Sequence, residues 1–558
     1  MSSPASAATP QAARKLDQLY EFDREPVSQD RLLGPGYFIG SFAGEHVAAT
    51  EFVIGALFVT WGASVRDIFA GLAIGNLLAV LTWTLLCAPI ATDTRLTLYW
   101  YLRGIGGPVL TLIYNLVNAL LFCVLAGCMI TVAASAVRIP FGIPAQVHWY
   151  PTDVRFIAVV LLVGAVVVTL ATLGFKSVAS FSTVCAPWMF LMFIAGALVM
   201  IPILSREAGS TGFWDMCARA VWTGHTPDGS PPIGFWKVAA FAWICNLAMH
   251  GGLSDMALFR YARRSSYGLA SIAGMFLGHY LAWICAGLMG AGAALLLNTQ
   301  LTKLDSGEVA YQALGWSGVL AVIIAGWTTS NPTLYRAGLA LQAITPDWSR
   351  AKVTIVAGVV TSAIACFPFV FTGLLDFVGL YGLLLCPAGA IVVTEHWLFP
   401  KLGLVRYWSA RRRHSLNAPA LIAWAAAIAL ALALERSGTL HLFYLFLPVY
   451  LTTMALYTAL ASVSGAKLTS FPNSTPPEVP TVPTHHPHQP SSPGSPGIPA
   501  LPAAAAALAL LGCLALPVLT MQGQLDHQAM KPWLLAATAL YFVSGVAVTV
   551  HRRRSGAE

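Results

Sequence analysis

The apolar residues of this chain are gathered into long runs, which short polar stretches separate from one another. A run of about twenty apolar residues is the length that an α-helix needs to cross the hydrocarbon core of a bilayer. Windows of that size predict about fourteen membrane-spanning segments. Their ranges are 38–61, 67–91, 108–135, 154–173, 178–203, 236–262, 266–297, 316–343, 352–371, 374–400, 417–434, 438–464, 501–521 and 532–550. The pattern therefore predicts an all-α polytopic membrane protein.

Two of these segments are interrupted by residues that a lipid-exposed helix does not tolerate. The sixth segment has His250 followed by two glycines in its middle, and the first segment places Glu45, His46 and Glu51 at membrane depth. Because lipid offers no hydrogen-bond partner to unwound backbone, such a break must line a cavity inside the protein. Transporters use breaks of this kind to present helix ends and free carbonyls to a solute. The two interruptions therefore predict a transport site near the middle of the membrane.

Composition and charge support this topology. Hydrophobic residues make up 57% of the chain and charged residues only 10%, whereas a soluble domain carries about 25% charged residues. The net charge of +8 comes mostly from basic residues counted at segment ends, among them Arg260 and Arg336. By the positive-inside rule, this distribution predicts that both termini are cytoplasmic, and we expect a multi-pass protein of a bacterial inner membrane. The scattered cysteines indicate neither a disulfide framework nor a zinc site.

Changes in composition predict how the chain is divided at its two ends. Residues 1–35 are polar and are expected to form a cytoplasmic arm. Residues 468–500 are rich in Pro, Ser, Thr and His and are expected to form an extended linker. The apolar residues 501–551 that follow predict an extra transmembrane hairpin, and residues 552–558 predict a basic cytoplasmic tail.

Several motifs in the first twelve segments resemble those of the nucleobase:cation symporter-1 family, which contains purine, cytosine, hydantoin and allantoin permeases. They are GNLL in the second segment, DMALFRYARR at the end of the sixth, WTTSNPTLY in the eighth, and CPAGA followed by an acidic residue in the tenth. The resemblance implies a five-plus-five inverted-repeat transporter fold. Its first repeat would cover 36–203 and its second 236–400. An extracytoplasmic loop over 204–235 would lie between them, and two peripheral helices would cover 401–467.

The resemblance also implies a cation site between the eighth segment and the broken first segment. Ala325 would supply a carbonyl, and Thr328 and Thr329 would supply hydroxyl oxygens, which suit a hard cation. The facing carbonyls would come from Glu45 and Ala48. The Glu45 side chain would either complement the cation directly or lie near the cytoplasmic interface without a role. Sodium is the expected coupling ion, and a proton is the alternative because of the extra carboxylates. The alternative role of the two threonines is local hydrogen bonding to the preceding helical turn.

The implied substrate pocket departs from the family pattern, because the third segment carries neither the Trp nor the amide of the family at the matching positions. Asn118 and Phe122 occupy that stretch instead. The candidate substrate-binding residues are Glu51, Asn118, Phe122, Trp243, Asn246, His250, Ser330 and Asn331. An intramembrane carboxylate is a functional hypothesis in its own right. We therefore expect Glu51, opposite His250, to recognise a donor-rich or cationic nitrogen compound. For the aromatic residues, ordinary packing is the alternative, and for His250 it is capping of freed backbone.

Together these features predict a cation-coupled symporter that moves a small planar nitrogenous solute, such as a nucleobase, by alternating access. One alternative is a membrane sensor or scaffold on the same fold, in which the linker and the last hairpin bind a partner. Another is a transporter of a cationic amine or an amino-acid-like solute. The sequence contains no HExxH, GxSxG or P-loop motif, so we do not expect an enzyme. The expected partners are the solute and the lipid bilayer, with neither an organic cofactor nor nucleic acid.

Overall fold

The computed structural model describes residues 25–172, 175–345, 347–467 and 500–554. Within these ranges the regular structure is helical, and β pairing is limited to three isolated bridges. Most of the predicted cytoplasmic arm, nearly all of the predicted linker and the last residues of the predicted tail lie outside the described residues.

The described helices follow the order of the predicted segments. They are α1a (Pro35–His46), α1b (Thr50–Thr60), α2 (Asp67–Thr94), α3 (Leu98–Val137), α4 (Val154–Thr172), α5 (Phe175–Ala208), α6a (Phe235–Ile244), α6b (Met256–Phe259), α7 (Ser265–Leu296), α8 (Trp316–Ile344), α9 (Arg350–Ala365), α10 (Val370–Lys401), α11 (Ala418–Arg436), α12 (Phe446–Val463), α13 (Ala500–Met521) and α14 (His527–Arg554).

In the described part of the chain, ten helices are long and apolar enough to cross a membrane, and the bent pair α1a–α1b makes eleven. Three of the predicted segments, the sixth, eighth and ninth, are not helices of this length and apolar character. The sixth is broken into short pieces, α9 has only 16 residues, and α8 carries the polar run 328–331. The total of fourteen spans therefore stays a prediction.

Both interruptions read from the sequence are breaks in the helices. The axes of α1a and α1b differ by 55° across residues 47–49. In the sixth segment, a single turn over Leu247–His250 separates α6a from α6b, and Leu253 has a positive φ of 63°. The α10 backbone packs tightly against this break, because a Cβ on Gly389 would lie 1.9 Å from the Gly251 carbonyl oxygen. A glycine is therefore required where α10 meets the unwound backbone of the sixth segment.

The helix contacts repeat themselves in two halves of the chain. The contact of α1b with α7 corresponds to the contact of α6a with α2 in the other half. In the same way, the contact of α3 with α9 corresponds to the contact of α8 with α4. The pair α1a–α5 likewise corresponds to the contact between α10 and the middle turn of the sixth segment. Such corresponding contacts are expected when two five-helix repeats of the same architecture pack against each other. The fold is therefore the predicted five-plus-five arrangement, with the broken helices as the first member of each repeat.

The hairpin of α13 and α14 packs against α5 and α8 at the periphery. The Trp188 indole N–H of α5 donates to the Thr538 hydroxyl at 3.2 Å. The His527 Nε2 lies 2.7 Å from the Ala313 carbonyl, at the end of a short helix that precedes α8. Such terminal carbonyls have no partner within their own helix, so the contact supplies one.

Candidate substrate and cation site

A small cavity of about 40 Å³ lies where the two broken helices meet α7, α8 and α10. That volume corresponds to roughly three water molecules. Five of the predicted site residues line it, namely Glu45, Ala48, Glu51, Asn246 and Thr329. The other lining residues include His46, His279 and Tyr381. The breaks inferred from the sequence thus meet at one space inside the protein, as a transport site requires.

Three of the predicted cation ligands, Glu45, Ala48 and Thr329, line this cavity, and the other two, Ala325 and Thr328, lie beside Thr329 in α8. The Thr329 hydroxyl donates to the Ala325 carbonyl at 2.9 Å and to the Glu45 carbonyl at 3.2 Å. The Thr328 hydroxyl donates to the same Ala325 carbonyl at 3.1 Å. The Ala48 carbonyl accepts the Glu51 backbone N–H at 3.3 Å. The two bonds to Ala325 are the local helix bonding considered above, but the bond from Thr329 to Glu45 joins α8 to α1a.

These oxygens are carbonyls and hydroxyls, a donor set that suits a hard monovalent cation such as sodium. The described residues contain no group of three or more His, Cys, Asp or Glu side chains that could hold a metal ion. A transition-metal site is therefore not indicated in this part of the chain.

The Glu45 carboxylate pairs with Arg336, whereas the carbonyl of the same residue faces Thr329. The two oxygens of Glu45 accept from the guanidinium of Arg336 at 2.5 and 3.1 Å. Arg336 also donates to Asp255 at 2.6 and 3.1 Å, and the second oxygen of Asp255 accepts the Trp83 indole N–H at 2.8 Å. The three charged side chains are between 0% and 6% exposed. We call Glu45, Arg336 and Asp255 the buried charge cluster.

Arg336 was counted in the sequence as a basic residue at a segment end, and this assignment is wrong. The residue lies inside α8, two turns after Thr329, and is 3% exposed. Residues seven apart lie on the same face of a helix, so Arg336 points toward the broken helices as Thr329 does. A buried guanidinium must be paired, and the carboxylates of Glu45 and Asp255 satisfy it.

Glu51 lies in the first turn of α1b and is 2% exposed. Its carboxylate accepts a hydrogen bond from the Trp283 indole N–H and lies 3.6 Å from the Nε2 of His279. The His279 ring stacks on the Trp283 ring at 4.4 Å, and the Asn246 amide lies 3.4 Å from His279 Nε2. The imidazole beside Glu51 is therefore His279 of α7, and not His250 as the sequence suggested.

His250 is buried but turns away from the cavity. Its Nε2 lies 2.8 Å from the Trp243 carbonyl, and its ring packs 5.0 Å from Trp83. The carbonyl of Trp243 belongs to the last turn of α6a, where no further helical N–H follows to pair with it. His250 thus has the alternative role considered for it, which is capping backbone freed by the break.

Five other predicted substrate residues lie outside the cavity lining. Trp243 donates to the Thr82 hydroxyl at 3.0 Å, and the Phe122 ring packs 5.6 Å from Tyr381. The Ser330 and Asn331 side chains bond to carbonyls one turn back in α8, at 2.6 and 2.7 Å. Asn118 is fully buried, and its amide makes no hydrogen bond of normal geometry within the described residues. These residues surround the site without facing its open space.

The sequence reasoning did not select His279, Trp283, Tyr381, Asp255 and Arg336 as site residues. The rule applied to Glu51, that an intramembrane ionisable residue marks function, also applies to His279 and Asp255. Trp283 follows His279 by four residues and therefore shares its helix face. Tyr381 carries no comparable signal, since an aromatic residue in an apolar segment is normally a packing residue.

No protein-family model matches the sequence, and no curated protein matches it by sequence. Solved structures do match the fold. Mhp1, described as a nucleobase-cation-symport-1 family transporter, is similar in its closed conformation with bromovinylhydantoin bound, with a TM-score of 0.61 and 16% identity over 80% of this chain and 96% of Mhp1. Its inward-facing conformation matches with a TM-score of 0.59 and 16% identity, over 80% and 95% of the two chains. A Na⁺-coupled sialic acid symporter matches with a TM-score of 0.57 and 14% identity, over 81% of this chain and 95% of its own.

These similarities confirm, at the level of the fold, the resemblance inferred from the motifs. The protein has the inverted-repeat fold of these secondary transporters, and the matching structures are transporters and not enzymes. Because the identities are low, they establish the architecture and leave the solute to be argued from the site itself.

Proposed function

We propose that this protein is a cation-coupled secondary transporter, a divergent relative of the nucleobase:cation symporter-1 family, for a small planar nitrogenous solute. The observation that carries the proposal is the meeting of Thr329 with the Glu45 carbonyl at the cavity that Glu51 and His279 line. In this proposal the protein lies in a bacterial inner membrane with both termini in the cytoplasm. The cavity alternates between the two sides of the membrane.

In the proposed cation site, the Ala325 and Glu45 carbonyls and the Thr329 hydroxyl hold the ion, with Thr328 beside them. Such an ion stabilises the arrangement in which α1a lies against α8. Because a ligand shifts a conformational equilibrium by its differential affinity for the two states, the loss of the ion favours separation of the two helices. The description of one neighbouring symporter as Na⁺-coupled favours sodium over a proton.

The proposed solute lies against a wall formed by the His279 ring, which is stacked on Trp283, and donates N–H groups to Glu51. The His279 ring offers a flat surface to the cavity, and the Asn246 amide can bind a polar ring edge. A cavity of about 40 Å³ has room for only about three waters, so a heterocycle fits when a broken helix moves.

A cationic amine is the second candidate solute. The described residues that line the cavity include no Lys or Arg, so Glu51 faces histidine and indole groups alone. A buried carboxylate without a cationic partner is expensive, and a positively charged solute or a proton would neutralise it.

The proposal is tested by a ligand screen on the purified full chain, followed by thermal unfolding in sodium chloride and in choline chloride at constant ionic strength. The compounds are cytosine, adenine, hypoxanthine, hydantoin and allantoin, together with benzamidine and its neutral analogue benzamide. We expect one planar nitrogen compound to raise the Tm more in sodium than in choline. The same compound should accumulate in proteoliposomes when a sodium gradient is imposed.

The other outcomes contradict separate parts of the proposal. A panel in which no compound stabilises the protein contradicts the solute class. Stabilisation that is independent of sodium and of pH contradicts ion coupling. Binding without any uptake into proteoliposomes favours a membrane sensor on the same fold.

A further inference from the structure

The buried charge cluster carries more negative than positive charge. One guanidinium, that of Arg336, lies between the carboxylates of Glu45 and Asp255. The Trp83 N–H supplies a neutral hydrogen bond to Asp255 and changes no charge. His46, Cys87, Tyr99 and Tyr381 also face the cluster, and none of them brings a permanent positive charge. Transfer of uncompensated charge into a protein interior is costly, so the cluster favours a further cation beside it.

The cluster and the proposed cation site share one residue. The Glu45 carbonyl accepts from Thr329 in the cation site, and the carboxylate of the same residue accepts from Arg336. Arg336 and Thr329 belong to the same face of α8. A cation bound at the Glu45 carbonyl therefore lies next to the surplus negative charge of the cluster.

Asp255 brings the second broken helix into this arrangement. It lies in the unwound part of the sixth segment, directly before α6b, and is fully buried. Its contact with Arg336 connects α6b to α8, as the contact of Glu45 with Arg336 connects α1a to α8. Both broken helices are thus tied to the helix that carries Thr328 and Thr329.

We propose that Asp255 is a positioning residue that acts on the coupling cation through Arg336 and Glu45. Asp255 supplies the surplus negative charge that the bound cation balances, and it ties the second broken helix to the ion site. This inference rests on the proposed function, because it requires a cation at Thr328 and Thr329. The alternative explanation is that the buried charge cluster serves only to hold the helices together. The two explanations predict different effects on sodium affinity.

The experiment measures the sodium concentration at half-saturation on the purified full chain, from radioactive sodium binding and from the sodium dependence of the Tm. Choline chloride keeps the ionic strength constant. Asp255→Asn should raise the half-saturating sodium concentration roughly tenfold, because it removes one negative charge near the ion inside the protein, where charges are only weakly screened. Arg336→Gln removes the positive charge instead, so its sodium affinity should equal or exceed that of the wild type.

Asp305→Asn is the matched control. Asp305 is a buried carboxylate that pairs with Arg138 through two hydrogen bonds, at 2.7 and 2.8 Å, and it lies outside both the buried charge cluster and the lining of the site cavity. It should lower the Tm without changing the half-saturating sodium concentration. Asp255→Glu keeps the charge and should restore sodium affinity toward the wild-type value, even if its packing lowers the Tm.

Each remaining outcome decides between the explanations. If Asp255→Asn and Arg336→Gln weaken sodium binding equally, the cluster has a structural role and the inference is overturned. If the wild type responds to sodium and Asp255→Asn responds at the same concentrations, the inference fails while the proposed function stands. If the wild type binds no sodium, the proposed cation site itself is wrong.

Discussion

Replacing Glu51 by Gln should weaken solute binding while leaving the protein folded. The substitution keeps the size of the side chain and removes its charge. An amide oxygen can still accept the Trp283 indole N–H, and an amide N–H can face the Nε2 of His279. We therefore expect the free energy of unfolding without ligand to change by less than about 1.5 kcal/mol.

The expected loss in affinity follows from the change in the hydrogen-bond acceptor. A hydrogen bond to a charged group contributes about 1.5–3 kcal/mol, and each 1.4 kcal/mol is a tenfold change in Kd. A solute N–H that donates to Glu51 should therefore bind roughly 10- to 150-fold more weakly to Glu51→Gln. A cationic probe such as benzamidine should lose more affinity than its neutral analogue benzamide.

The assay is a binding titration on purified protein at several pH values, with Glu395→Gln as the control. Glu395 is another buried carboxylate, which accepts from the Tyr457 hydroxyl at 2.5 Å and lies outside the cavity lining. Its replacement should change the Tm and leave solute affinity unchanged. An unchanged Kd and pH profile in Glu51→Gln would refute the role of Glu51, and equal destabilisation with and without ligand would assign it to helix packing.

Three further predictions concern other parts of the site. Thr329→Ala, and to a smaller extent Thr328→Ala, should raise the sodium concentration required for uptake about tenfold, because a hydroxyl ligand is lost. Thr329→Ser keeps the hydroxyl and should restore the wild-type sodium requirement. Wild-type sodium and pH dependence of uptake in both alanine variants would contradict the cation site. His279→Gln should weaken solute binding at the stacked wall more than His250→Ala does, and His250→Ala should mainly lower the Tm. A larger loss of solute affinity in His250→Ala than in His279→Gln would contradict the assignment of His279. Gly389→Ala should destabilise the protein by about 1–3 kcal/mol because its Cβ would overlap the Gly251 carbonyl; an unchanged Tm would show that the break in the sixth segment relaxes freely.

The sequence alone determines the features that depend on local composition. Each membrane segment carries its own apolar signal, so the helices could be placed one by one. The two breaks could also be recognised, because charged residues and paired glycines are costly in a lipid-exposed helix wherever they occur. The position of Thr329 beside α1a followed from motif resemblance, and the fold that the resemblance implied has the same architecture as the solved transporters.

The tertiary structure decided which buried polar groups meet. Glu51 contacts Trp283, which is 232 residues away in the chain, and Arg336 contacts Glu45 across 291 residues. A helix that is apolar on all sides shows no stripe that reveals which face turns inward, so its rotation is set by packing against its neighbours. That rotation places His279 beside Glu51 and turns His250 toward the Trp243 carbonyl. The pairing of charges follows from packing because a buried charge must find a partner, and only the assembled helices determine which partner is within reach.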